Sequence, residues 1–118
     1  MKSVKATIWH NNRCSNSRGA LALLQQAGAD IEVIDYLHNP PDTATLRQLL
    51  DEMQMPAREL LRGKESAYAE LGLAEQLDDE AALIDAMAMH PELINRPIVR
   101  TSKGTALCRP PETVHTLL

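Results

Sequence analysis

Two β-branched runs, VKATIW at residues 4–9 and IEVIDY at 31–36, flank a stretch of helix-forming composition at 15–27. Strand, helix and strand follow one another with little chain to spare. The two strands are therefore expected to lie parallel, joined by a right-handed crossover. Ala20, Leu21 and Leu24 share one face of the intervening helix, and Gly28 falls where a helix C-cap belongs.

The turn HNPPDTAT at 38–45 breaks the second strand with its prolines and offers Asp42 or Thr43 as a helix cap. Leu46, Leu49, Leu50 and Met53 then recur at i, i+3, i+4 and i+7, which predicts an amphipathic helix. Pro56 opens a further helical turn over ARELLR. Residues 65–73 and 78–89 also read as helical, with Asp78, Asp79 and Glu80 at the positive end of the latter. PIVRT and TALC form a β-hairpin around Ser102, Lys103 and Gly104, and PPETVHTLL closes as a short helix. The order β-α-β, helical block, β-β-α matches an α/β thioredoxin-like fold. It is expected as a single domain over 1–118, with a helical insertion at about 42–90.

Composition narrows the function. Phe is absent and aromatics make up 3% of the chain, so aliphatic side chains must fill the core and few rings remain to stack on bases. A net charge of −4 argues against nucleic-acid or anionic-membrane binding, and no apolar run approaches the roughly 20 residues of a membrane span. The segment MKSVKATIW enters a strand directly without a signal-peptide pattern, so a cytoplasmic location is expected. Cys14 and Cys108 form no CxxC and have no metal-ligand spacing, and a structural disulfide is not expected in that compartment. His38, His90 and His115 are scattered. Met53, Met55, Met87 and Met89 fall near helical apolar positions and are expected to fill the core.

The segment HNNRCSNSR, residues 10–18, carries the chemistry. A thiol is a nucleophile only as thiolate, and Cys14 stands at the predicted start of the first helix. There the helix dipole and the unpaired N–H groups of Ser15, Asn16 and Ser17 favour negative charge and form a cradle for an oxyanion such as phosphate or arsenate. His10, Arg13 and Arg18 can add positive charge or hydrogen bonds.

HNNRCSNSR, YLHNPP, ARELLR, LINRPIV and LCRPPE occur in order over almost the whole chain. Together they resemble the glutaredoxin-dependent arsenate reductases, the ArsC family, which have a thioredoxin-like fold with a helical insertion. The resemblance implies that Cys14 is the nucleophile toward arsenate. It implies that Arg62, Arg96 and Arg109 hold the oxyanion, that His10 helps activate the cysteine, and that the Arg96–Pro97 peptide is cis. One departure is visible: the family usually reads H-N-P-x-C, and Asn12 stands where that proline would be.

Arsenate reduction requires a nucleophile for As(V), positive charge for the oxyanion and a thiol donor. Cys14 and bidentate arginines meet the first two needs. No second cysteine lies nearby in sequence, so the electrons are expected from glutathione, with glutaredoxin clearing the resulting Cys14–glutathione disulfide. No bound cofactor or metal is expected, and Cys108 is read as structural. Two other functions compete. One is a general thiol oxidoreductase. The other is a non-enzymatic, Spx-like regulatory module, against which the absence of CxxC weighs.

Overall fold

The computed structural model describes residues 4–118. They pack as two compact units, one formed by the described residues up to Asn39 together with Arg96–Leu118, the other by Pro40–Asn95.

The first unit holds a four-stranded mixed sheet with the thioredoxin-like order β2-β1-β3-β4. Its strands are β1 (Lys5–His10), β2 (Asp30–Asp35), β3 (Ile98–Thr101) and β4 (Gly104–Leu107). β1 pairs in parallel with β2, from Lys5 opposite Asp30 to His10 opposite Asp35. Helix α1 (Ser15–Gln26) makes the crossover, as the β-α-β pattern requires. On its other side β1 runs antiparallel to β3, with Trp9 opposite Ile98, and β3 turns back into β4.

Helix α1 stops where the sequence says it should. Gly28 takes a left-handed φ of 72°, the Gly28 N–H donates to the Gln25 carbonyl and the Ala29 N–H to the Leu24 carbonyl. These are the paired bonds of a Schellman end, which a residue with Cβ would strain. Ala6 and Ile8 of β1, Ala20 and Leu24 of α1, Val99 of β3, and Cys108, Val114 and Leu117 make one buried cluster. Complete burial of an aliphatic side chain such as Leu24 contributes about 1.5–3 kcal/mol. The last helix, Pro111–Leu117, is 3₁₀ and packs on α1. It comes so close that a Cβ on Gly19 would lie 3.0 Å from Pro111 Cγ.

The second unit is helical. Helix α2 (Thr43–Met53) starts at Asp42, whose carboxylate accepts the Thr45 N–H at 2.8 Å, and buries Leu46, Leu49 and Leu50. Next come α3 (Ala57–Leu60) and α4 (Ser66–Glu70). The helix expected over 65–73 ends early because Gly72 turns into the left-handed region at φ 63°, and a 3₁₀ turn, Leu73–Glu75, follows. α5 (Glu80–Met89) is capped by Asp79, which accepts the Ala82 N–H at 3.1 Å, and packs against α2 and α3.

Glu80 lies in the first turn of α5, where the sequence places acidic charge, and its carboxylate also accepts the Ala57 N–H with both oxygens, at 3.0 and 3.1 Å, and so caps α3. The methionines also divide. Met87 is fully buried, but Met89 is 77% exposed, against the expectation that it fills the core. Two residues along a helix rotate a side chain by about 200°, so Met89 faces away from the side that Met87 buries.

Candidate active site

The loop between β1 and α1 is tied down before it reaches the thiol. Asn11 is buried. Its carbonyl accepts the Cys14 N–H at 3.0 Å, its side-chain oxygen accepts the Arg13 N–H at 2.9 Å, and its amide nitrogen donates to the Tyr36 hydroxyl at 3.3 Å. The Asn11 N–H donates to the hydroxyl of Ser17, itself fully buried in the first turn of α1. Farther out, the Arg18 guanidinium donates to the Asn12 carbonyl at 2.9 Å. The Asn-Asn-Arg turn is thereby held in one shape by hydrogen bonds, with Asn12 in place of a proline.

Cys14 is the N-cap of α1, half-buried and extended, with φ −96° and ψ 124°. Burial alone would raise its pKa. That effect is outweighed by the Ser17 N–H, the Arg96 guanidinium and the Asn16 N–H, and the thiol ends below its usual 9.0. Two of the three N–H groups expected to form the cradle, those of Asn16 and Ser17, thus act on the sulfur itself. Ser15 opens the same helical turn.

Arg96 and Arg109 come to the thiol from the other half of the same unit. Arg109 Nη1 lies 3.7 Å from Cys14 Sγ and donates to the Arg96 carbonyl at 3.0 Å. The Arg96–Pro97 peptide is cis, as the resemblance implied, and so is Arg109–Pro110, which no feature of the sequence announced. Two guanidinium groups beside one thiol, each able to present a fork of N–H donors, have the chemistry to accept a tetrahedral oxyanion.

His10 sits one shell farther back. It is buried at the end of β1, and its Nδ1 lies 2.6 Å from the Ser17 hydroxyl. That hydroxyl also accepts the Asn11 N–H, so it bridges Asn11 and His10, with its role toward Nδ1 set by the imidazole tautomer. His10 therefore reaches the site through Ser17, whose N–H faces the sulfur. Sequence reasoning missed this use of the Ser17 side chain and the Asn11 hub, because both depend on β1 and α1 meeting at one turn.

Arg62 belongs to the helical unit. Its N–H donates to the Leu93 carbonyl at 2.7 Å, and its guanidinium donates to Glu65 at 3.2 Å. Cys108 is a free, fully buried thiol whose pKa burial pushes up to about 12, and its N–H donates to the Pro97 carbonyl at 2.8 Å. Among the described residues no group of His, Cys, Asp and Glu could hold a metal ion, and no helix is long and apolar enough to cross a membrane.

Residues 9–117 match the model of the ArsC family. The chain is 46% identical over 112 residues to an arsenate reductase of Escherichia coli K12, a match covering 95% of this chain and 79% of that one. It is 50% identical over 114 residues to the uncharacterized protein YfgD of the same strain, covering 96% and 94% of the two chains. Among solved structures it resembles the arsenate reductase from Vibrio cholerae with a TM-score of 0.93 and 39% identity, over 99% of this chain and 100% of that one.

Proposed function

The chain belongs to the ArsC family, and from that premise we propose that it is an arsenate reductase working through a Cys14 thiolate in the cytoplasm. The observation that carries this reading is Cys14 itself, a thiol drawn toward its anionic form at a helix N-terminus with the guanidinium groups of Arg96 and Arg109 beside it.

Arsenate would bind to the forks of Arg96 and Arg109, and Arg62 joins them by the family resemblance alone. The Asn16 and Ser17 N–H groups favour the anionic sulfur, and His10, through the Ser17 hydroxyl, keeps that turn in register. Attack of the thiolate on As(V) forms an S–As bond and expels one arsenate oxygen as water, its protons drawn from the acid form of the oxyanion and from the medium. Glutathione then attacks the Cys14 sulfur. An S–S bond forms and the S–As bond breaks with its electron pair left on arsenic, giving As(III) arsenite and a Cys14–glutathione disulfide. The thiol proton goes to arsenite. Glutaredoxin returns Cys14 to the thiol by exchange.

The test is NADPH consumption with arsenate, glutathione, glutaredoxin and glutathione reductase. Arsenate-dependent turnover in the wild type, lost in Cys14→Ser and strongly reduced in Arg96→Ala, is the expected result. A wild type that consumes no NADPH on adding arsenate, while Cys14 still alkylates rapidly, would sink arsenate as the substrate and leave a general thiol oxidoreductase.

A further inference from the structure

The loop that delivers Cys14 has two flanks. β3 borders β1 on one side and brings Arg96, with Arg109 bonded to its carbonyl. β2 borders β1 on the other and ends at Asp35, opposite His10. On that second flank lies a cleft of about 340 Å³, lined by Asn11, Asn12, Arg13, Asp35, Leu37 and His38. The reaction proposed above uses none of its charged groups. Its wall ends at Arg13, about 3.8 Å along the chain from Cys14.

Its chemistry is specific. Arg13 is exposed and, among the described residues, its guanidinium has no hydrogen-bond or ion-pair partner, so its donor fork is open to a carboxylate. The Asp35 carboxylate is held in place by its own turn, accepting the Leu37 N–H at 3.2 Å and facing His38 Nδ1 at 2.7 Å. A carboxylate has room for further donors beyond these two, so an ammonium group can join them. Asn12 adds a carboxamide able to pair with a peptide bond, and Leu37 supplies an apolar surface. A cleft with an open cation, an oriented anion and a carboxamide suits a small zwitterionic peptide. The volume lies within the roughly 300–1,000 Å³ of small-molecule sites.

We propose that this cleft is the subsite for the thiol donor, a zwitterionic peptide thiol of the glutathione class, with a carboxylate on Arg13 and the ammonium on Asp35. The inference rests on the arsenate-reductase reading and adds to it a direction of approach. Displacement at sulfur is in line, so the donor must reach Cys14 Sγ from the side opposite the arsenic it displaces. Arg96 and Arg109 hold the oxyanion on the β3 flank, and the cleft opens on the β2 flank. A donor seated in the cleft would come to the sulfur from the β2 flank, across the loop from the two arginines.

Two measurements decide it. In the first, the unreactive analogue S-methylglutathione is titrated into ¹⁵N-labelled Cys14→Ser protein. Saturable amide shifts at Asn12, Arg13, Leu37 and His38 are expected, with affinity at least about fivefold weaker when Arg13→Gln and Asp35→Asn are added. No saturable shift, or shifts centred on Arg96 and Arg109 instead, overturns the proposal. In the second, Arg13→Gln/Asp35→Asn should raise the KM for glutathione about fivefold or more while leaving the KM for arsenate and the rate of Cys14 alkylation by iodoacetamide in place. A KM for glutathione equal to wild type overturns the subsite and leaves the reductase reading standing. A wild type without arsenate turnover overturns that reading, and the titration then decides the cleft alone.

Discussion

Arg109 Nη1 stands 3.7 Å from Cys14 Sγ although 95 positions separate them, and the same nitrogen donates to the Arg96 carbonyl at 3.0 Å. One guanidinium thus ties the end of the hairpin to its beginning and presents charge to a thiol carried by the first β-α junction. Burial opposes ionisation of that thiol, and the Ser17 N–H, the Arg96 guanidinium and the Asn16 N–H outweigh it, two of the three belonging to the helix that Cys14 caps.

The pH dependence of Cys14 alkylation should reveal this. Iodoacetamide reactivity should titrate below the ordinary thiol value of 9.0, because the Ser17 and Asn16 N–H groups and the Arg96 guanidinium overcome the burial that opposes them. Removing the charge in Arg96→Ala should move the midpoint upward. A midpoint unchanged by that substitution would mean that the helix N-terminus alone sets the thiolate.

The two thiols should act on stability in opposite directions. Cys14 is depressed in the folded state, so its contribution is fully present above the unfolded value of 9.0 and is lost as pH falls through its folded value. Cys108 is raised to about 12, so the unfolded chain loses that proton first and stability falls between pH 9 and 12, by at most about 1.4 kcal/mol per pH unit. Urea unfolding of Cys108→Ala across pH 8–11 should lack that decline. The same variant should keep arsenate turnover, since Cys108 is fully buried in the core of the sheet unit.

Gly19→Leu should destabilise the sheet unit. Replacing a mid-helix glycine gains about 1 kcal/mol in helix propensity. Here even a Cβ would lie 3.0 and 3.2 Å from two ring carbons of Pro111, and a larger side chain overpacks the contact between α1 and the last 3₁₀ helix. Overpacking of this kind costs about 1–3 kcal/mol, so a net loss of stability is expected in urea denaturation. Stability equal to wild type would show that the last helix can move away.

Glu80→Ala should weaken the helical unit by about 1 kcal/mol, the usual cost of a lost helix N-cap, because the Ala57 N–H loses both carboxylate oxygens. Asp79 still caps α5 in that variant, so the larger loss should fall on α3. Amide exchange should show faster opening at Ala57 than in the body of α5.

Much of this protein was determined by local sequence. The parallel β1–α1–β2 unit, the Gly28 helix end, a cap at Asp42 or Thr43, acidic residues at the start of α5, the hairpin around Ser102 and Lys103, and the position of Cys14 at the start of α1 all follow from propensity, periodicity and turn chemistry acting over a few residues. Only the tertiary structure decided that Arg109 meets Cys14, that Ser17 links Asn11 to His10, that Glu80 caps a different helix, that Gly19 yields to Pro111 and that Met89 faces solvent. Each of these depends on which segments the folded chain packs together or turns outward. A side chain's type shows what it can bond, and packing across long stretches of chain selects the partner it finds.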